Sequence, residues 1–225
     1  MRVLAVDTTS APGSIAVLEG DTLRGRALFR APFGHAQQLL PEVDRLFASL
    51  GLSLADVDAF AVAVGPGSFT GVRIGIASVE GLAFATGRPV VGVSTLEATA
   101  YRHRAREGLV APLLDARREE IFGALYRVER GALHTILPPV CERPEAFLAR
   151  LPREKILLAG SGLEMYGSVV REALGDLAVV TEPVVDLAEE VGRIGRQRIE
   201  RGEASPLGGL RAQYLRASDA EKVRR

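Results

Sequence analysis

The sequence is short of the residues on which several classes of protein depend. It holds one cysteine, Cys141, which excludes a disulfide framework within the chain and any cysteine-rich zinc site. Tryptophan and asparagine are absent, glutamine occurs four times and methionine twice. Such scarcity of thermolabile residues fits a protein kept at high temperature. Lysine is nearly missing as well, since 26 of the 28 basic residues are arginine, a bias that a GC-rich genome also produces. Neither sign of charge is in excess, with 28 basic against 28 acidic side chains. Attachment to nucleic acid by bulk charge is therefore excluded, because phosphate binding needs a basic excess or a local basic patch. No apolar run approaches the roughly 18 residues of a membrane span. The run Val3-Leu4-Ala5-Val6 ends at Asp7, too short for a signal peptide. The expectation is a soluble, cytoplasmic chain with no membrane contact.

What is present is a core. Hydrophobic residues make up 47% of 225, enough for one large or two small domains. Val3 to Val6, Ser14 to Leu18 and Thr22 to Phe29, separated by Pro12-Gly13 and Gly20-Asp21, read as an antiparallel meander. Leu39, Leu40, Val43, Leu46, Phe47 and Leu50 recur at helical spacing, with Pro41 predicting a kinked first turn or a late start. Ala59 to Val64 reads as a buried strand, followed by a glycine-rich run, a helix to about Thr86, and a strand over Val90 to Val93. The second half repeats this logic with strands at Leu109 to Leu114, Ile121 to Val128, Leu133 to Val140 and Ile156 to Ala159. Ser94 with Glu97, Ser161 with Glu164, and Asp186 with Glu189 have the spacing of helix caps. The charged stretch from Arg102 to Gly108 is the natural linker. Two α/β lobes follow, 1–105 and 106–225.

The strongest local signal is Gly65-Pro66-Gly67-Ser68-Phe69-Thr70-Gly71 between a strand and a helix. Gly65, Gly67 and Gly71 permit tight turning and close approach, the helix start offers free N–H groups, and Ser68 and Thr70 offer hydroxyls. That combination can cradle an anion, although no lysine follows Gly71, so it is not a Walker A loop. A ligand-free glycine turn explains the spacing equally well. Asp7, before Thr8-Thr9-Ser10, ends the first strand, and Asp115 ends one in the second half. Both could serve a phosphate site or a proton transfer, and both are common turn residues. The three histidines have no metal-ligand spacing, and Cys141 has no partner that would activate it.

The helix from Gly71 to Ala85 carries only Arg73 and Glu80 as charged residues. A surface helix should keep one polar face. This one is either sandwiched inside its domain or meets another subunit. In the second case Gly75, Ala77, Ser78 and Gly81 would allow close approach, and Leu39, Val43 and Leu46 of the preceding helix would join the seam.

VLAVDTTSAPGSIAVL, GPGSFTGVRIGIASVEGLAFATGRPVVGVSTLEATA and LLDARREEIFGALY together resemble the bacterial TsaB (YeaZ) family over the whole chain. The resemblance implies the two-lobed actin/Hsp70-like fold (ASKHA, RNase H-like) and a role in making N6-threonylcarbamoyladenosine (t6A) at position 37 of tRNA. It also implies partners: a TsaD-like catalytic subunit, a TsaE-like ATPase, a second copy of the chain when alone, and tRNA only through the complex. TsaD-like relatives carry a His-x-x-x-His metal pair where this chain has Thr95 and Thr99. A threonine hydroxyl is a poor substitute for imidazole on a transition metal. The implied reading is a non-catalytic subunit with no metal and no tightly bound cofactor, retaining at most a vestigial site with weak ATP or ADP binding. The alternatives are an independent ATP-dependent kinase or hydrolase of the same fold, using Asp7 and the glycine loop, and a glycoprotease-like metallopeptidase. One departure is local: relatives often have proline before Tyr-Leu-Arg, whereas here Gln213 precedes Tyr214.

Overall fold

The structure is a computed structural model that describes residues 1–30, 35–181 and 186–216. The chain forms two α/β units, Met1–Ala98 with Val185–Gln213, and Thr99–Val184 with Tyr214–Arg225.

The sheet of the first unit has the order β3-β2-β1-β4-β5. Strands β1 (Arg2–Asp7), β2 (Gly13–Glu19) and β3 (Thr22–Phe29) make the antiparallel meander, and β4 (Ala59–Ala63) and β5 (Val90–Val93) run parallel to β1. Parallel neighbours need crossovers. Helix α1 (His35–Leu50) leads from β3 towards β4, and α2 (Phe69–Thr86) joins β4 to β5. Helix α1 runs through Pro41 without a break, where a kink or a late start was expected. Because strand side chains alternate between faces, Leu4, Val6, Ile15, Val17, Phe60 and Val62 point one way. They form one buried cluster with Leu39, Val43, Leu46 and Phe47 of α1 and Val79 and Ala83 of α2.

The opposite face takes α6 (Ala188–Glu200), which packs on β1, β2, β4 and β5. It lies close because Gly192 and Gly195 have no side chains. A Cβ at Gly192 would strike Leu18, and one at Gly195 would strike Ala61. This packing moves the division of the chain away from 1–105 and 106–225: residues late in the sequence return to complete the first unit. The start of α6 is held by a strand residue, since Ser14 Oγ accepts the N–H groups of Leu187 (3.3 Å) and Ala188 (3.2 Å). Its far end is held by Arg198, which donates to the Gly92 carbonyl (2.7 Å) and to the Glu97 carboxylate (2.6 and 2.8 Å) on α3 (Thr95–Tyr101).

The expected caps at the three spacings are therefore replaced. Glu97 serves Arg198, and Ser94 Oγ has no hydrogen-bond partner among the described residues. Ser161 Oγ accepts the Asp115 N–H (3.3 Å) instead of capping its own helix. Asp186 pairs with Arg26 (2.9 Å), while Glu189 and Arg193 do pair along α6 (2.9 Å).

The second unit repeats the plan in the order β10-β9-β6-β7-β8. Strands β6 (Gly108–Arg117), β7 (Glu120–Glu129) and β8 (Ala132–Glu142) form a meander. Strands β9 (Ile156–Ala159) and β10 (Ala178–Val180) extend it in parallel. Helices α4 (Pro144–Ala149) and α5 (Gly162–Leu174) cover a core that includes Leu113, Ile121, Leu125, Phe147 and Leu158. The short edge strand β10 was not anticipated; its residues are only half-buried or exposed and carry no period.

Two glycine substitutions separate packing from propensity. Gly195→Ala drives a methyl into Ala61, and we expect a loss of about 1–3 kcal/mol, the usual cost of overpacking. Gly81→Ala, on α2 with nothing within 4 Å of the new Cβ, should be neutral or stabilise by about 0.5–1 kcal/mol. Denaturant midpoints of the two variants should move in different directions.

Candidate functional site

Strands β1 and β4 are parallel neighbours, so the segments leaving them, Thr8-Thr9-Ser10 and Val64 to Ser68, meet at one end of the sheet. They interlock. Asp7 is 1% exposed, and its Oδ1 accepts both the N–H (2.8 Å) and the hydroxyl (2.6 Å) of Thr9. That fixes the turn so that the Thr9 carbonyl accepts the Ser68 N–H (2.7 Å). Thr8, fully buried, donates its hydroxyl to the Gly71 carbonyl (2.7 Å).

The glycines make this approach feasible. A Cβ at Gly67 would lie 2.5 Å from the Thr9 carbonyl oxygen, one at Gly71 would strike the Thr8 carbonyl, and one at Gly75 would strike the Thr8 hydroxyl. Gly65 does a different job. Its φ of +98° is open to glycine, its carbonyl accepts the Thr95 N–H (2.9 Å), and the Gln213 carbonyl passes 3.2 Å from where a Cβ would be.

Two of the donors that an anion would use are engaged by the chain itself. The Ser68 N–H goes to Thr9, and the Gly71 N–H goes to Ser68 Oγ at 3.2 Å. Asp7, Thr8, Gly65, Gly67, Ser68 and Gly71 thus come together as the sequence suggested, with Thr70 exposed on the first turn of α2. Asp115 belongs to the second unit. There it behaves as a turn residue, accepting the Arg117 N–H (2.8 Å) and pairing with the Arg117 guanidinium (3.2 Å). Thr95 and Thr99 lie buried one turn apart on α3. No group of three or more His, Cys, Asp or Glu residues able to hold a metal occurs among the described residues. None of the described helices is long and apolar enough to cross a membrane.

The expected seam divides. Leu39, Val43 and Leu46 are buried against the sheet, and Gly75 faces Thr8, so all four belong to the interior of the unit. Periodicity located these residues but could not say which side of a short-residue helix faces the sheet. Ala77 and Gly81 are exposed and Ser78 is half-buried. Phe84, which sequence reading did not assign to the seam, extends the same outer face and is 77% exposed. Arg73 begins that face, stacked 3.7 Å over the Phe69 ring. A second residue missed by sequence reading is Glu80, whose carboxylate accepts the Leu210 N–H (3.0 Å) and so ties the chain's late segment to α2. Beyond it the Gln213 N–H donates to the Val64 carbonyl (2.7 Å), a bond that proline at this position could not make.

Comparison with known proteins agrees with this geometry. The family model for TsaD, tRNA N6-adenosine threonylcarbamoyltransferase, matches residues 31–185. The tRNA threonylcarbamoyladenosine biosynthesis protein TsaB of Escherichia coli is 32% identical, over 99% of this chain and 97% of that one. The chain belongs to the TsaB family. The Bacillus subtilis TsaB is 29% identical over 98% of this chain and 96% of its own. Among solved structures, YeaZ of Pseudomonas aeruginosa superposes with a TM-score of 0.81 at 31% identity, covering 95% of this chain and 99% of that one. A ROK hexokinase from Thermus thermophilus, at 16% identity, a TM-score of 0.53 and coverage of 89% and 100%, shares the fold alone. These neighbours establish an α/β fold of the actin-like, ASKHA type for this TsaB-family chain.

If the glycines serve the Thr8–Thr9 turn, they should matter for stability. Gly71→Ala should cost about 1–3 kcal/mol or more through the clash with the Thr8 carbonyl. Thr8→Val, which leaves the Gly71 carbonyl without the hydroxyl, should cost about 1–3 kcal/mol. Unchanged denaturant midpoints in both would show that the interlock carries no stability.

Proposed function

We propose that this chain is a non-catalytic subunit that binds and activates a TsaD-type threonylcarbamoyltransferase in t6A modification of tRNA. The observation that carries the reading is the filled glycine loop. The N–H groups of Ser68 and Gly71 bond to Thr9 and Ser68, and the space beside Gly67 and Gly71 is taken by the Thr8–Thr9 backbone. A phosphate cannot use these two donors unless the interlock opens, which supports weak nucleotide binding and no turnover as the reading. The buried Thr95 and Thr99 supply no imidazole for a metal, which argues against a metallopeptidase.

The outer face of α2 supports the partner role. Arg73, Ala77, Gly81 and Phe84 recur at three- and four-residue intervals, with small residues between a cation and an exposed aromatic ring. Such a face suits another helix approaching closely, either of the TsaD-type subunit or of a second copy of this chain. A TsaE-like ATPase would join the assembly, and tRNA would be engaged in the cytoplasm through the complex. An independent ATP-dependent kinase or hydrolase is the competing class, and it requires the interlock to open on its own.

Reconstitution of t6A formation tests this. Modification should require the chain, and the isolated chain should hydrolyse ATP far more slowly than about one per second, a rate common among enzymes. Ala77→Arg should fold normally, because the site is exposed, yet lose association with the TsaD-type subunit in sedimentation by at least tenfold. A folded Ala77→Arg that associates like the wild type would place the interface elsewhere.

A further inference from the structure

Zero net charge conceals an uneven distribution within the second unit. Its sheet has two ends, and the loops at each come from different segments. At the end where β6 begins, Leu109 pairs with Arg127 and Ile156, Arg127 pairs with His134, and Ile156 with Ala178. Three chain segments meet there. The turn after α3 contributes Arg102, Arg104 and Arg106. The end of β7 contributes Arg127 and Arg130, and the approach to β9 contributes Arg153 and Lys155.

Contacts hold the three segments together. The Arg130 N–H donates to Glu107 (2.8 Å), a Cβ on Gly131 would lie 4.0 Å from the Arg104 carbonyl, and Arg127 pairs with Glu154 at 3.6 Å. The acidic residues at this end are Glu107, Glu129, Glu154, Glu172 and Asp176, five against eight cations once Arg171 in the last turn of α5 is included. At the opposite end the sign reverses. Asp115, Glu119, Glu120, Glu142, Glu145 and Glu164 face Arg117, Arg118, Arg143, Arg150 and Arg216, six acids against five cations. Among the described residues Arg106, Arg130 and Lys155 are exposed and make no ion pair.

We propose that the end of the second unit built from the turn after α3, the β7–β8 turn and the approach to β9 binds the phosphate backbone of the tRNA. Polyanion contact by a protein with no overall basic excess requires such a local patch, and guanidinium groups suit bidentate contact with phosphate oxygens. His103 lies inside the patch. Burial, and then the Arg102 and Arg106 charges, hold its pKa below the ordinary histidine value. A phosphate group brought to this surface relieves that repulsion. The proposal rests on the t6A reading, which supplies the RNA, and assigns this chain a direct share in holding it.

The test measures binding of an unmodified tRNA transcript to the chain together with a TsaD-type subunit, by fluorescence anisotropy between roughly 50 and 200 mM salt. The variant Arg106→Glu/Arg130→Asn/Lys155→Glu alters three exposed side chains, with asparagine chosen because Arg130 has φ +51°. It should bind at least tenfold more weakly, with a salt slope smaller by about 2–3. Arg106→Lys/Lys155→Arg keeps the charge and should bind as the wild type does. Arg143→Glu, at the opposite end, should stay within twofold. Wild-type affinity and salt slope in the triple variant, or an equal loss in Arg143→Glu, would overturn the proposal. So would loss of subunit association in the triple variant, measured by sedimentation of the same samples, because the patch would then be a protein interface. Failure of the wild-type chain to associate with the subunit sinks the functional reading instead, whatever the variants do.

Discussion

The interlock of Thr8 and Thr9 with the start of α2 is the constraint on which the first unit depends. Strand β1 is central, and the turn that leaves it must pass the helix that leaves β4, because the two strands are parallel and end together. Two outcomes are open to such a crossing. A gap between turn and helix leaves backbone N–H groups for a ligand, as helix starts readily do. A closed crossing engages part of those groups internally and requires residues without side chains where backbones touch. Here the crossing is closed. Gly67, Gly71 and Gly75 sit at the three points of contact, and Asp7 secures the turn from below through Thr9. The consequence is mechanical: the glycine-rich composition builds a joint between the turn and the helix.

A closed joint also fixes α2 as a platform. Its inner side is set by Val72, Gly75, Val79 and Ala83 against the sheet, and Glu80 anchors the late segment through the Leu210 N–H. The outer side is then presented in one orientation, with little freedom to roll. This explains how a helix with so few charges is compatible with a stable unit: most of its larger apolar side chains are core, Ile74, Ile76 and Leu82 packing against the buried cluster as well. Ala77, Gly81, Phe84 and Ala85 are exposed, as is Phe69 on the first turn. An aromatic side chain at 77% exposure gains nothing from folding the chain that bears it, so its place beside small residues fits recognition of a partner better than stability.

Much of this was legible in the sequence, and the rest was not for identifiable reasons. The meander, the β4–loop–α2 passage and the repeat of that plan in the second unit follow from period, glycine placement and apolar runs. The position of α6 does not. Nothing near Ala188 signals that its N-terminal N–H groups will meet Ser14, some 170 residues earlier, or that Gly192 and Gly195 match Leu18 and Ala61. The cap spacings misled for the same reason. Glu97 had a nearby serine in sequence but a nearer arginine, Arg198, in space. Leu39, Val43 and Leu46 were correctly read as one face of a helix, yet a stripe alone does not reveal whether it turns towards a sheet or a partner. The glycine loop left two readings open, and its spacing could not reveal that the Thr8 and Thr9 carbonyls pack against Gly71 and Gly67.

The charge distribution carries the same lesson in another form. A chain with equal numbers of acids and bases looks neutral to any count, and a count is all that composition offers. The fold sorts those charges by strand ends. Each strand of the second unit brings one terminus to one end of the sheet, so residues spaced far apart, such as Arg104, Arg130 and Lys155, are gathered while the acids of 115–120 and 142–145 collect opposite. Within a Debye length of about 8 Å at physiological salt, a ligand senses the local set and not the total. Local sorting therefore permits an electrostatic contact that composition excludes in bulk, and it leaves the acidic end free of the self-repulsion that a uniformly basic surface would impose. A chain contributes to binding by where it places charge, and this one gathers Arg106, Arg130 and Lys155, which make no ion pair among the described residues, at one end of one sheet.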